Sequence, residues 1–337
     1  MCNDKDKIPL IVVVGPTASG KTKLAVELAK KYDGEVVSAD SMQIYKGLNI
    51  ATAKPTVDEM QGIPHHLIDF LEPDTPFSVA DYVKLAKEKT VDIYKRNKLP
   101  ILCGGTGLYV SSLINNINFD ETQNNYKIRQ RLENEAKEFG NHYLWEKLNQ
   151  IDPETALKVH ENNLPRVIRG IEVFELTGKK LSDHKIDSRR EESPFNCCII
   201  GIGYSDREVL YNRINKRVDE MIDQGLIDEV KFVYKNLNLS TAHQAIGYKE
   251  LIPYLENVCD LELCIEKIKQ ETRHYAKRQL TWFRKIDKIN WIYADNFEEY
   301  KYFINNVENV IAKSGIIWYN IIWAIVCLIV KWIKKGV

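Results

Sequence analysis

The chain has 337 residues, enough for one large α/β domain with an inserted or second unit. Its 47 Lys and Arg residues balance its 47 Asp and Glu residues, so net charge gives no sign of nucleic-acid binding and any such surface must be local. The seven cysteines form no C-x-x-C pair, which excludes a disulfide framework or a zinc site of that type and indicates a reducing compartment.

The first element is an apolar run at residues 8–14, followed by GPTASGKT and then by an amphipathic segment. A buried strand, a glycine-rich turn and a helix are the context of a phosphate loop, whose backbone N–H groups bind phosphate oxygens. Lys21 adds positive charge and Thr22 a hydroxyl for Mg²⁺. The residues predicted to bind a diphosphate or nucleotide are Gly15, Pro16, Thr17, Ala18, Ser19, Gly20, Lys21 and Thr22.

Further strand patterns at residues 35–39, 98–103 and 196–202 alternate with helical patterns, which is typical of a parallel sheet with crossover helices. Asp40 follows the second strand. Because ligands bind at the carboxyl ends of such strands, we expect Asp40 to face the phosphate loop, as a metal ligand or general base. Capping of the following turn is the alternative, and the residues alone do not separate the two.

The strand that ends at residue 103 continues into GGTGLY. Phosphate-loop proteins that hydrolyse ATP usually carry a metal-binding Asp at the end of such a strand. The glycines and Thr106 found here favour a site that binds and releases phosphate rather than one that hydrolyses ATP.

The domain pattern changes at about residue 116. Residues 116–196 show helical patterns without a strong strand, so we expect a helical insertion in a core made of residues 1–115 and 197–313. Residues 206–230 predict one long helix. Residues 314–337 form an apolar tail, and its run at 316–330 is shorter than the roughly 20 residues of a membrane span. A helix packed on the domain and a membrane-surface helix are the alternatives.

Residues 273–285 combine basic and aromatic side chains. On a helix, Arg273, Lys277 and Arg284 share one face with Thr281, which suits phosphate contacts beside base stacking. Taken alone, the segment fits an ordinary amphipathic helix better, with Trp282 in the core and the basic residues in solvent.

In combination, these motifs closely resemble the bacterial tRNA dimethylallyltransferase family, also called tRNA isopentenyltransferases. The motifs stand in the family's order across residues 8–290: GPTASGKT, DSMQIY, AKP, PHHLID, FSV, GGTGLY, DR with a later Arg, GYKE and KRQLTWFR. Two departures are visible. Ala51 stands where the family usually has Gly, and the tail lies outside the family pattern.

The resemblance implies a phosphate-loop NTPase-like fold, a parallel sheet flanked by helices with an inserted helical domain. It also implies transfer of a dimethylallyl group from dimethylallyl diphosphate to N6 of adenosine 37 in tRNA, with Mg²⁺ and without ATP consumption. The residues that it assigns to catalysis are Asp40, Thr106, Arg207 and Arg213. Those that it assigns to tRNA binding are Asp40, Ser41, Met42, Gln43, Thr106, Pro165, Arg166, Val167, Ile168, Arg169, Lys277, Arg278, Gln279, Thr281, Trp282 and Arg284.

The expected partners are the tRNA anticodon stem-loop and dimethylallyl diphosphate, with no obligate protein partner, and membrane contact through the tail is the less favoured option. The polar start of the chain lacks a signal-peptide pattern, so we expect a cytoplasmic protein. Two other enzymes share parts of the pattern, an isopentenyltransferase for free adenine nucleotides and a phosphate-loop kinase for a small molecule. Neither accounts for the basic segment at 273–285. A membrane-attached nucleotide-binding adaptor, suggested by the tail alone, belongs to a different class.

Overall fold

The computed structural model describes residues 7–119, 126–183, 192–236 and 245–317. These residues belong to two compact units, one drawn from Met1–Ile114 and Pro194–Val337 and the other from Asn115–Ser193. The first unit contains the sheet and the phosphate loop, and the second is helical.

The first unit is built on a sheet of six parallel strands in the order β3-β2-β4-β1-β5-β6. The strands are β1 (Ile8–Val14), β2 (Gly34–Ser38), β3 (His65–His66), β4 (Leu99–Gly104), β5 (Phe195–Gly203) and β6 (Ile289–Tyr293). β1, β2 and β4 are buried almost throughout, as expected for parallel strands covered on both faces. The predicted fold class is confirmed. The two edge strands, β3 and β6, were not predicted.

The helices of the first unit before the insertion are α1 (Lys21–Lys31), α2 (Val57–Met60), α3 (Val79–Lys95) and α4 (Gly107–Ile114). The second unit contains α5 (Tyr126–Phe139), α6 (Asn141–Ile151), α7 (Pro153–Leu157) and α8 (Leu164–Thr177). The first unit then resumes with α9 (Arg207–Asp223), α10 (Leu226–Asn236), α11 (Tyr248–Leu255), α12 (Leu261–Phe283) and α13 (Tyr300–Lys313).

The single helix predicted for residues 206–230 is wrong, because the chain breaks between α9 and α10. Gly225 has φ +97°, a conformation that L side chains rarely adopt and that ends a helix. After the break, Leu226, Val230 and Val233 of α10 are buried in a core shared with Val218 of α9.

A second core of the first unit lies between the sheet and helices α1 and α13. It includes Ile11, Leu24, Ile200 and Ile311. Ile316, the first residue of the predicted apolar run, is also buried in this core. Residues 318–337, which hold most of the predicted tail, lie outside the described residues. Within the described part of the chain, no helix is both long and apolar enough to cross a membrane.

The second unit has its own core, formed by α5, α6 and α8 with Ala156 of α7. Among its described residues, two acidic side chains are fully buried, those of Asp152 and Glu172. The Glu172 carboxylate accepts hydrogen bonds from Arg129 Nε at 2.9 Å and Arg169 Nη1 at 2.8 Å. Because a buried carboxylate is costly without such partners, both arginines offset the burial of Glu172, and Arg129 also links α5 to α8.

Candidate active site

The phosphate loop joins β1 to α1 and needs glycine at both of its ends. Gly15 has φ +157°, and a Cβ there would lie 2.7 Å from the carbonyl oxygen of Ile202. Gly20 has φ +89° and directly precedes Lys21, the first residue of α1. A side chain would be strained at either position. The resulting turn presents the N-terminus of α1 to a ligand, where helix N–H groups favour an anion.

Two side chains of this loop, Lys21 and Ser19, would be stabilised by a bound anion. Lys21 Nζ donates to the carbonyl oxygen of Pro16 at 2.6 Å, and burial lowers the pKa of Lys21 to about 8. The hydroxyl of Ser19 is buried, and among the described residues it has no hydrogen-bond partner. A buried polar group without a partner is costly, so a bound anion would restore a bond to Ser19 and favour the charged form of Lys21.

Asp40 follows β2 and uses one carboxylate oxygen to hold its own turn. Its Oδ1 accepts hydrogen bonds from the backbone N of Met42 at 2.9 Å and of Gln43 at 3.2 Å. Among the described residues no donor bonds to Oδ2. Asp40 lines a cavity that also borders the phosphate loop. The capping role that the sequence left open is therefore present, and it orients the carboxylate while leaving its second oxygen for a ligand.

Thr106 connects the end of β4 to the segment that carries Asp40. Its backbone N donates to the carbonyl oxygen of Ala39 at 3.0 Å. Its Oγ1 accepts from the backbone N of Ser41 at 3.0 Å and donates to Ser41 Oγ at 3.3 Å. The structure thus gives Thr106 a holding role on both sides of Asp40. Its predicted contact with the reacting groups stays a prediction.

Gln279 of α12 ties the phosphate loop to the loop after β4. Its Oε1 accepts from Thr17 N at 2.8 Å, and its Nε2 donates to the carbonyl oxygen of Gly105 at 3.0 Å. The side chain is buried, and a Cβ on Gly105 would lie 2.3 Å from Nε2. We expected Gln279 to bind tRNA. Both ends of its amide are bonded to the protein backbone, which gives Gln279 a structural role, and its contact with tRNA stays a prediction.

The two arginines predicted to act on the diphosphate, Arg207 and Arg213, and their neighbour Arg217 lie in different environments. Arg213 donates through Nε to the carbonyl oxygen of Ala18 at 2.9 Å, so it is attached to the phosphate loop. Arg217, one turn further along α9, lines the cavity, and burial lowers its pKa. Arg207 is exposed in the first turn of α9 and does not line the cavity. The structure therefore offers no contact that supports a catalytic role for Arg207, and Arg217 is better placed.

Some of these groups line a cavity of about 400 Å³ in the first unit; Ser19, Thr106, Arg207 and Arg213 are not among its lining residues. The predicted site residues that line it are Thr17, Ala18, Lys21, Thr22, Asp40, Ser41, Met42, Gln43, Arg278 and Gln279. The phosphate loop and the Asp40 segment therefore border the same cavity.

The remaining predicted residues of α12 lie mostly on its outer surface. Lys277, Thr281 and Arg284 are exposed. Trp282 is half-buried, and a Cβ on Gly107 would lie 2.2 Å from its Cδ1, so the indole packs on the start of α4. One face of α12 therefore packs on the protein, as expected for an ordinary amphipathic helix. Another face carries the exposed basic residues that were predicted to contact tRNA.

The predicted tRNA-binding segment of the second unit is only partly available. Pro165 and Arg166 are exposed at the start of α8, but Val167 and Ile168 are buried in the core of that unit. The tRNA contacts predicted for the side chains of Val167 and Ile168 are wrong for this physical reason. Arg169 pairs with buried Glu172.

Comparison with known proteins gives one consistent result. The family model described as IPP transferase matches residues 43–286. A tRNA dimethylallyltransferase of Thermoanaerobacter sp. (strain X514) is 49% identical over 309 residues, which cover 90% of this chain and 98% of that relative. The enzyme of the same name from Bacillus velezensis is 48% identical and covers 85% of this chain and 90% of that relative. The chain belongs to the tRNA dimethylallyltransferase family.

Solved structures agree with this family assignment. The full-length tRNA isopentenylpyrophosphate transferase of Bacillus halodurans has a TM-score of 0.69 and 42% identity, covering 94% of this chain and all of that one. A eukaryotic dimethylallyltransferase acting on tRNA has a TM-score of 0.74 and 32% identity, covering 85% of this chain and 74% of that one. As a family member, the chain is a prenyl-transferring enzyme.

Several cavity residues of this tRNA dimethylallyltransferase family member had no role assigned from the sequence. They are His65, Arg217, Lys249, Thr272 and Tyr275. Sequence features near most of them could have indicated a role. His65 and Lys249 lie in family motifs, and Tyr275 lies in the basic-aromatic segment. Arg217 lies four residues after Arg213. No paired motif or spacing rule indicates which of them face inward, because that depends on how α9, α11 and α12 pack.

Proposed function

We propose that this chain transfers the dimethylallyl group of dimethylallyl diphosphate to N6 of adenosine 37 in tRNA, giving N6-isopentenyladenosine beside the anticodon. The observation that carries the proposal is that the phosphate loop and Asp40 line one cavity. Its volume of about 400 Å³ is that of an ordinary small-molecule site. The names of the relatives support tRNA as the acceptor. Because the acceptor is a tRNA, we place the activity in the cytoplasm.

The diphosphate end of the proposed site is the phosphate loop. Lys21, the unpartnered Ser19 hydroxyl and Arg217 supply donors and positive charge for an anion. The residues also fit Mg²⁺, because the Thr22 hydroxyl lines the same cavity and Mg²⁺ is usually held by few protein oxygens together with substrate phosphates. Bound there, Mg²⁺ would neutralise part of the diphosphate charge.

The acceptor end is the Asp40 segment. In the proposed reaction, N6 of the adenine attacks the allylic carbon and the bond from that carbon to the diphosphate oxygen breaks. The bonding electrons leave with the diphosphate, and the proton released from N6 passes to the free Oδ2 of Asp40. The backbone bonds of Met42 and Gln43 to Oδ1 keep the carboxylate in a single orientation, which reduces the reorganisation needed for the transfer.

A base in a tRNA loop has to leave its stack before a cavity of this kind can hold it. The exposed basic residues of α12, together with Arg278 at the cavity, supply a surface for the flanking phosphates. Exposed Arg166 is a further candidate for phosphate contact.

The direct test is nucleoside mass spectrometry of tRNA incubated with the protein, Mg²⁺ and dimethylallyl diphosphate. We expect isopentenyladenosine at position 37, and its formation should require Asp40. Parallel reactions with adenosine monophosphate as the acceptor and with ATP alone test the two other enzyme classes. A clear preference for the free nucleotide, or Lys21-dependent ATP hydrolysis, would refute the proposal.

A further inference from the structure

A short turn between β2 and α2, residues 49–53, forms part of the cavity wall. Ala51, Thr52 and Ala53 line the cavity. Gln43 is bonded to this turn, since its Nε2 donates to the carbonyl oxygens of Thr52 at 3.1 Å and Ala53 at 3.0 Å. Two carbonyl oxygens accept only from the amide nitrogen, so the turn determines which way the Gln43 amide faces.

The amide oxygen of Gln43 is the end that remains for a ligand. Among the described residues no donor bonds to Oε1, and Gln43 lines the cavity. An acceptor held in this way is complementary to an amino or imino group on a base edge, and it would repel a second acceptor. The recognition that Gln43 offers therefore depends on the position of the two carbonyl groups of the turn.

The turn itself is held by one carboxylate from a distant helix. Glu229 of α10 accepts from three successive backbone N–H groups: Oε2 from Asn49 at 2.9 Å and Ile50 at 2.8 Å, and Oε1 from Ala51 at 3.0 Å. The hydroxyl of Tyr248 donates to Oε1 as well, at 2.8 Å. Successive N–H groups that converge in this way form an anion-binding concavity, here occupied by a side chain of the protein.

We propose that Glu229 is a positioning residue for base recognition, which acts through the turn at residues 49–53 on the amide of Gln43. The inference rests on the proposed function, because it assigns Gln43 to the base that enters the cavity. Its structural part is independent of that function. Removing the carboxylate leaves three backbone N–H groups without an acceptor and allows the two carbonyl groups that orient Gln43 to move.

The structural part is tested by amide hydrogen exchange in the full-length protein. In Glu229→Gln, whose amide NH₂ group cannot accept a hydrogen bond, we expect exchange at residues 49–51 to be faster by about tenfold or more. Glu229→Asp, which keeps the charge on a shorter side chain, serves if the first variant is poorly folded. The matched control is Asp228→Asn, an exposed acid of α10 that pairs with Lys231. Unchanged exchange at residues 49–51 in the Glu229 variants would overturn the proposal.

The functional part is tested by a double-mutant cycle. For Glu229→Gln we expect kcat/KM for tRNA to fall by about tenfold, with unchanged affinity for inorganic diphosphate. In a Gln43→Ala background the same substitution should have no further effect, because the residue through which it acts is gone. Additive effects, or a matching loss of diphosphate affinity, would overturn the proposal. A wild-type protein that modifies no tRNA would refute the proposed function while leaving the exchange result intact.

Discussion

The two ends of the cavity are built in different ways. The phosphate loop is one contiguous segment, residues 15–22, whose glycines, lysine and helix start are neighbours in the chain. The wall around Asp40 is assembled from separate elements: Thr106 bonds to Ser41 across 65 positions, and Glu229 bonds to Asn49 across 180. A contiguous motif carries its own geometry, whereas an assembled wall depends on tertiary contacts. Substitution of a residue that takes part in the reaction should therefore affect the transfer rate directly. Substitution of a distant residue that holds the wall should affect the rate through the position of its partners.

Asp40→Asn should have the largest effect on activity. The variant keeps an oxygen that can cap the turn but loses the basicity needed to accept a proton, so single-turnover transfer should fall by roughly 10²–10⁴-fold. Affinity for tRNA should change little, because the backbone bonds to residues 42 and 43 can be retained. Rapid-quench measurement of product formation, paired with a tRNA binding assay, checks both. Near wild-type transfer would show that the base lies elsewhere.

The second prediction concerns the strand that carries Asp40, and it is a pH effect on stability. Glu35 of β2 is bonded to Arg96 and to His66 Nε2, and the hydrogen bonds from Arg96 lower the pKa of Glu35 to about 2. A carboxyl pKa that is lower in the folded state contributes stability above its unfolded value of about 4.5, and this is lost as pH falls towards 2. The contribution at neutral pH is about 3 kcal/mol.

Glu35→Gln should remove most of this pH dependence. Urea unfolding between pH 6 and pH 2.5 should show the wild type losing more stability than the variant. Glu72→Gln is the matched control, since Glu72 forms an exposed pair with Lys46 and should change little. Parallel pH profiles for wild type and Glu35→Gln would contradict the assignment.

Contiguous motifs of this protein can be predicted from the sequence, whereas features assembled from separate elements cannot. The phosphate loop, Asp40 and the strands β1, β2, β4 and β5 follow from local pattern. The two-residue strand β3 is too short to give a periodic signal, and the inward position of Arg217 depends on the packing of α9. The burial of Val167 and Ile168 was readable, because Leu164, Val167, Ile168 and Ile171 recur at helical spacing. For these two residues the family resemblance implies tRNA contact, whereas the helical spacing predicts burial, and the structure agrees with the spacing.

One sequence departure has a simple structural explanation. Ala51 stands where the family usually has Gly, and Ala53, rather than Ala51, has a left-handed φ in this turn, +49°. Ala51 therefore needs no glycine-like conformation. Its Cβ lies 3.3 Å from where a Cβ on Gly247 would be, which is a tight contact, and Gly247 itself has φ +106°, so glycine is favoured on that side of the contact.

Gln279→Leu tests the link between the contiguous loop and the assembled wall. It leaves the N–H of Thr17 and the carbonyl of Gly105 without partners, which costs about 2 kcal/mol in stability. We expect kcat/KM for dimethylallyl diphosphate to fall by about tenfold, with tRNA affinity changed less. Gln270→Leu on the same helix is the control, because Gln270 is exposed and bonded to Lys267. Equal effects of the two variants would show that the phosphate loop needs no support from α12.

The smallest effect at moderate salt is expected for the basic residues at the C-terminal end of α12. Replacing Lys277, Arg278 and Arg284 with Ala should weaken tRNA binding several-fold. It should also flatten the plot of log affinity against log salt by about 0.7–0.9 for each tRNA phosphate that the variant no longer neutralises. Replacement of three exposed lysines of α3, Lys84, Lys89 and Lys95, controls for net charge. If both triple variants change the slope equally, tRNA affinity depends on the overall charge of the protein and α12 is not a specific tRNA-binding surface. A change confined to the α12 variant would show that these basic residues neutralise tRNA phosphates directly.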